Sequence, residues 1–517
     1  MKNLLYLIAI LLVFSSCESL VEEEVFSSVT PNNFFKNDKD IAVAVNGVYD
    51  GIQNFSRSHN DINAYMAGEF DNQWTPLFMT LNIINTDGAL WSVWSQNYQT
   101  IGKANVVLAQ LEKSTVADAL KNQYAGEVRF LRAYCYFEMV RFFGHFPLVK
   151  TPPSNLSDVV LPDTTNTDAY NSEYLKQVER EEIYTFIIED LKFSEQNLPA
   201  TYSAAHLGRA TKGAASGMLA RVYLAQAGYQ YDYAKGGLKP GDASKFAMCA
   251  QKCQEIISSG TYSLLPDFSK VFENTNDNNA ECLFSIQFLS SKEAGSTGEG
   301  STFAPDYGIK GADITPYAYN WNTVNVKYFN EWVAANGITD KRYSTTFMTE
   351  YINKSGATVK WGTGNFRGPI TRKLVSDVTH PISSTADKDY GDNFIVQRYA
   401  DVLLMHSEAL NEAGSTPDAN TLLGVNLVRA RAGKAALALP ITKELLREEI
   451  WNERKWELCF EGFYSYYDCQ RTGRYLAEIA KYTNKKRLVV PTEKYYIMPI
   501  PFNATEANRS LKQNYGW

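Results

Sequence analysis

Two short segments combine aromatic rings with amides and a carboxylate in a way that suits a sugar. One is Tyr317-Ala318-Tyr319-Asn320-Trp321-Asn322. The other is Glu69-Phe70-Asp71-Asn72-Gln73-Trp74, with Trp91 a little downstream. A sugar is held by an aromatic face under its ring and by Asp, Asn or Arg side chains at its hydroxyls. Trp321, Tyr319, Tyr317 and Asn320, with Trp74, Asn72, Asp71 and Trp91, are therefore the candidate ligand-binding residues. Core packing would use Trp74 and Trp91 equally well. A second pattern is ionic. Glu453, Glu457 and Glu461 recur at four-residue spacing, which places them on one face of a helix. Trp456, Cys459, Phe460 and Phe463 form an apolar stripe beside them. A helix this apolar packs against its neighbours, so the acids need basic partners from other elements. Arg132, Arg398, Arg429 and Arg431 are the candidates.

Other chemistries find little support. The histidines, His59, His145, His206, His380 and His406, form no HExxH or other ligand pair. His406 falls on an apolar helix face and reads as a core residue. No G-x-S-x-G and no P-loop occurs, and Gly362-Thr363-Gly364 lacks a strand-to-helix setting. A glycosidase needs two carboxylates at a set separation across a cleft, which spacing along a chain with 57 acids does not reveal. Cys135, Cys249, Cys253, Cys282, Cys459 and Cys469 fall mostly within apolar helical patterns and read as buried free thiols. No zinc spacing appears, so no cofactor is expected. The net charge is −7 with no basic patch, which argues against nucleic acid.

The elements that must position these residues are mainly helices. Periodicity predicts helices over Tyr98–Lys113, Ala117–Phe143, Glu181–Asn197, Ala210–Ala227 and Ala243–Ser259, several stopped by glycine. A further pair, about 399–413 and 419–432, spans roughly the 34 residues of a tetratricopeptide-type unit. Between Thr261 and Asn393 the helical signal largely fades, and Ser290–Thr302 reads as an exposed loop. Long irregular segments on a helical scaffold commonly carry binding. At the N-terminus, Lys2 precedes an unbroken apolar run from Leu4 to Phe14, then Ser15-Ser16-Cys17. The run is too short for a membrane span and suits a signal-peptide core. It predicts a lipoprotein leader over 1–17, lipidation at Cys17, and an acidic linker over 18–25 holding Glu22-Glu23-Glu24. A length of 517 residues alone would allow roughly two to four domains.

Several longer motifs resemble one family. They are Trp94 through Tyr98 and Ile101 to Ala104-Asn105, and Gly126-Glu127-Val128-Arg129-Phe130-Leu131-Arg132-Ala133-Tyr134 running to Gly144-His145-Phe146-Pro147. Gln397-Arg398-Tyr399-Ala400-Asp401 through Glu408-Ala409, Val425 through Arg429-Ala430-Arg431-Ala432-Gly433, and Glu453 through Gly473 continue the series. Met498-Pro499-Ile500-Pro501 and Gln513-Asn514-Tyr515-Gly516-Trp517 close it. Together they resemble the SusD/RagB family of nutrient-binding lipoproteins. The resemblance implies a mainly α scaffold of divergent tetratricopeptide-like pairs. It implies an N-terminal helical region over 26–228 and a C-terminal region over 229–517, with a loop-rich ligand-binding insertion at about 261–393. It further implies a non-catalytic protein, lipid-anchored on the outer face of the outer membrane. Such a protein delivers oligosaccharide or polysaccharide to a SusC-like TonB-dependent transporter. A repeat scaffold binding peptide or protein for the same kind of transporter is the alternative. Ligand contacts in the family come from roughly the two aromatic segments named above.

Overall fold

The computed structural model describes residues 35, 37–152, 175–289, 300–301, 303–312, 318–375, 390–461, 464–482 and 489–517. The leader with Cys17, the acidic stretch after it, most of the 290–302 loop, Tyr317, His380 and Phe463 lie outside them.

Helices dominate, and their ends carry the chemistry that helix termini need. Helix α1 (Asp38–Ala67) starts at Asn37, whose side chain accepts the N–H groups of Lys39 and Asp40, and stops at Gly68. Helices α2 (Gly88–Lys113), α3 (Asp118–Phe143), α4 (Arg180–Asn197), α5 (Lys212–Ala227) and α6 (Ser244–Ser259) follow. Each packs on the next in chain order, as stacked helix pairs do. After the insertion come α8 (Tyr399–Ala413), α9 (Ala419–Ala432), α10 (Lys443–Glu457) and α11 (Ser465–Arg471). Helix α8 packs on α6, α9 and α10, and α11 returns to pack on α1. The α8–α9 crossing is close because Gly424 has no side chain; a Cβ there would lie 2.2 Å from the Leu403 carbonyl oxygen.

The 261–393 region is less irregular than its sequence suggests. It holds α7 (Val326–Asn336), capped by Asn325 accepting from Lys327 and Tyr328 and ended by Gly337. Tyr328 and Trp332, one turn apart, are its buried face. The flanking irregular segments drown this single short period. A small satellite core of Ile309, Met348, Phe366 and Ile370 steadies the rest of the insertion. Strands are few and short. β2 (Cys282–Ile286) pairs antiparallel with β4 (Phe394–Arg398), which runs directly into α8.

The acidic stripe is buried and paired. Glu457 is fully buried and accepts from Arg342 (3.0 Å), Arg398 (2.7 Å) and Arg431. Arg342 also bonds Glu453 at 2.7 Å, with Arg429 at 3.5 Å from the same carboxylate. Arg398 bridges to Glu461 and to Glu281, a member the sequence did not suggest. Lys373 closes the cluster on Glu461 at 2.8 Å. Phe268 and Phe272 lie against it, their ring centroids 5.0–5.7 Å from Lys373, Arg398 and Arg431. Burial pushes the Glu457 carboxyl up, but Arg431, Arg398 and Arg342 outweigh it and hold the group well below the usual carboxylate range.

Two expectations are corrected. Arg132 does not join the stripe; it forks onto Asp190 at 2.8 and 2.9 Å, bracing α3 against α4. Glu461 is not on the helix, because α10 ends at Glu457 and Phe460 turns through φ 63°. The turn, rather than helical stacking, brings Glu461 to Arg398. Among the described residues the cysteines are free, with Cys135, Cys249, Cys253 and Cys459 buried. His406 and Trp94 are core.

Candidate ligand site

Strand β1 (Phe70–Asn72) leaves α1 through Gly68 and pairs antiparallel with β3 (Asn322–Val324), in register Phe70 to Val324 and Asn72 to Asn322. This three-rung ribbon joins the two aromatic segments, which lie some 250 residues apart. Gln73 N–H donates to the Trp321 carbonyl at 3.2 Å, carrying the pairing past the strand ends.

The ribbon is held by buried amides. Asn322 Oδ1 accepts from the Tyr65 hydroxyl and from Asn72 Nδ2, each at 2.6 Å. The same Nδ2 reaches Tyr65 at 2.9 Å. Asn72 Oδ1 accepts Trp74 N–H at 2.8 Å and so fixes the turn that carries Trp74. A buried amide network of this kind must be satisfied by partners inside the fold. The side chains of Asn72 and Asn322 are thus engaged inside the ribbon. Asn320 is also buried, in a left-handed turn at φ 51°, a conformation asparagine tolerates. Asp71 is half-buried and accepts from Asn325 Nδ2 at 3.2 Å.

The rings sit outside this frame. Tyr319 and Trp321 stack on one another with centroids 4.6 Å apart and planes 15° from parallel, both half-buried. Trp74, across the ribbon end, is 71% exposed. Trp91 is exposed on the first turn of α2, and no bond among the described residues joins it to the ribbon. One cation, absent from the sequence reading, stands beside the rings. Arg367 donates to Gln73 Oε1 and to the Asn320 carbonyl. It lies in a glycine-punctuated loop whose sequence carried no binding pattern.

Glu69 links this surface to the ionic cluster. Its carbonyl accepts Asn325 N–H at 2.8 Å, and its carboxyl accepts Phe460 N–H at 3.2 Å and the Ser465 hydroxyl. Burial pushes its pKa up to about 7, against the pull of those donors and of Lys373. Among the described residues, no group of three or more His, Cys, Asp or Glu could hold a metal ion.

The profile of the "SusD family" matches residues 258–517. That of "Starch-binding associating with outer membrane", a SusD-like family, matches residues 22–224. The chain belongs to the SusD family. A SusD-like protein of Formosa agariphila is 27% identical over 500 residues, covering 90% of this chain and 89% of its own. A SusD homologue from Bacteroides thetaiotaomicron superposes with a TM-score of 0.80 at 22% identity, covering 94% of this chain and 98% of that one. A structure described as a laminarin-binding SusD-like protein gives 0.73 at 24% identity, covering 93% and 100%. The mainly helical SusD fold expected from the motifs is thus observed. No helix among the described residues is long and apolar enough to cross a membrane.

Proposed function

We propose that this SusD-family chain is a non-catalytic, cell-surface glycan-binding lipoprotein. It captures an oligosaccharide or polysaccharide and passes it to a TonB-dependent outer-membrane transporter. Lipid on Cys17 holds it to the outer face of that membrane. The observation that carries the reading is the stacked Tyr319–Trp321 pair with Trp74 beyond it. Aromatic faces on a water-exposed ledge suit the apolar face of a sugar ring. The laminarin-binding relative, of the same fold, is consistent with it.

In this reading Trp321 and Tyr319 form the stacking platform, and Trp74 supplies a second face. Arg367 offers donors to hydroxyls beside them. The buried amides fix where these groups stand and contact no sugar.

Calorimetry tests it. Titrating the wild type against a panel of soluble glycans, laminarin included, should find one binder. Trp321→Ala should then weaken that binder by about 1–3 kcal/mol, the scale of aromatic stacking on planar ligands, with the melting temperature nearly unchanged. Unchanged affinity moves the site elsewhere. Trp74→Ala should act in the same direction. Acylation is tested separately: Cys17→Ala should lose fatty-acid labelling and leave the membrane fraction, and retained labelling excludes that anchor.

A further inference from the structure

Apart from the ribbon, five arginines line a partly open cavity of about 60 Å3. That is well above the roughly 10–15 Å3 that one water needs. Arg141 comes from α3, Arg180 from the start of α4 and Arg221 from α5; Arg454 belongs to α10 and Arg471 to α11. Asp468 is the one carboxylate in the cavity lining. Most of the arginines have acids behind them. Arg454 meets Asp401 at 3.0 Å and Asp468 at 2.9 Å, Arg471 meets Asp468 at 2.7 Å, and Arg141 meets Glu138.

Two do not balance. Arg180 is buried, and its bonded partner is the neutral Gln230 at 3.0 Å; no carboxylate pairs with it among the described residues. Arg221, only 7% exposed, uses Nη2 alone, on the Val396 carbonyl, Asp401 and the Tyr464 hydroxyl. Its Nε and Nη1 have no hydrogen-bond partner. A guanidinium with two buried nitrogens left open calls for an occupant, since buried polar groups are almost always satisfied. The occupant must accept hydrogen bonds, fit beside few carboxylates and offset the surplus positive charge.

We propose that this cavity is a buried anion site, taking a small monovalent anion of the chloride class. The anion accepts from the open face of Arg221 and compensates Arg180. Arg141, Arg180 and Arg221 lie in the stretch matched by the N-terminal profile, whereas Arg454 and Arg471 lie in the C-terminal one. The ion therefore cements the two halves of the chain at a seam where like charges would otherwise repel.

The test uses the purified intact protein. Crystals grown or soaked in sodium bromide should give an anomalous peak in the cavity between Arg180 and Arg221. In thermal unfolding at constant ionic strength, replacing isethionate, a bulkier and more weakly binding anion, with chloride or bromide should raise Tm by several degrees. Arg180→Gln, which removes a cation that has no acid partner, should still fold and should lose that chloride increment. Water in place of the bromide peak, equal Tm in chloride and isethionate, or an unchanged increment in Arg180→Gln each overturns the proposal.

Discussion

Glu457 holds three arginines at once, and its loss would leave Arg342, Arg398 and Arg431 short of counter-charge where no water can replace it. Breaking one side of a buried ion pair costs roughly 3–5 kcal/mol. Glu457→Ala should lower the unfolding free energy obtained from urea denaturation by that much. Glu444→Ala, exposed on the first turn of the same helix, should stay within about 0.5 kcal/mol. Glu69 behaves in the opposite sense. Its folded pKa is raised from 4.5 to about 7, so the folded state favours the protonated group. Its contribution is complete below about pH 4.5 and is lost as pH rises through about 7, up to roughly 3 kcal/mol. Glu69→Gln should flatten the pH dependence of the urea midpoint between pH 5 and 8; a slope equal to the wild type's would place the titration on another group. The acids of the stripe were legible because their spacing is regular and their neighbours apolar. Three of their partners were marked by equally clear patterns: Arg429 and Arg431 lie in α9, and Arg398 ends β4 immediately before α8. Arg342 and Lys373 escaped because they sit in aperiodic segments, where nothing local marks a residue as buried. Arg132 misled because a helical arginine near an apolar face looks the same whichever acid it meets.

Helix C-termini were readable, since a period of 3.6 and a closing glycine survive in isolation, but α2 starts at Gly88, well before the predicted Tyr98. The predicted 399–413 and 419–432 pair coincides with α8 and α9. What brings that pair together is less visible: Gly424 inside a helix reads as a weak point, yet it marks the closest approach of α9 to α8. Gly424→Ala should therefore destabilise despite alanine's better helix propensity, by roughly 1–3 kcal/mol for overpacking. A raised Tm in calorimetry would show that the helices can part freely. The ribbon lay beyond sequence reasoning altogether. Three-residue strands carry no usable alternation, and their partner lies hundreds of residues away. The two aromatic segments were found by composition; their meeting on one ledge was not. Arg367 pins the ribbon end from a third segment. Arg367→Met should weaken ligand by about 1 kcal/mol, as for one hydrogen bond, with folding intact, which calorimetry and a melt can separate.

The described residues share one main core that draws on both the N-terminal and C-terminal helices, beside small satellite clusters. His59 in α1 bonds Tyr467 in α11 at 2.7 Å, and Phe70 packs on Phe460 at 4.9 Å. Neither half covers its own apolar faces. A fragment of residues 38–228 should consequently show helical circular dichroism without a cooperative melt and should bind a hydrophobic dye; a sharp transition would mean that the half is a domain in its own right. Length and composition left the domain number open, because a shared core depends on contacts between the ends that no local window contains. The ribbon has a consequence over evolutionary time. Residues 73–75 and 319–321 ride on a frame whose own bonds are all made beneath them. Exchanging a solvent-facing side chain there costs within about 0.5 kcal/mol, whereas disturbing Asn72 or Asn322 would strand a buried polar group at about 1–3 kcal/mol. A lineage meeting a new polymer thus has a short mutational path open to it, rewriting the ledge while inheriting the frame unchanged.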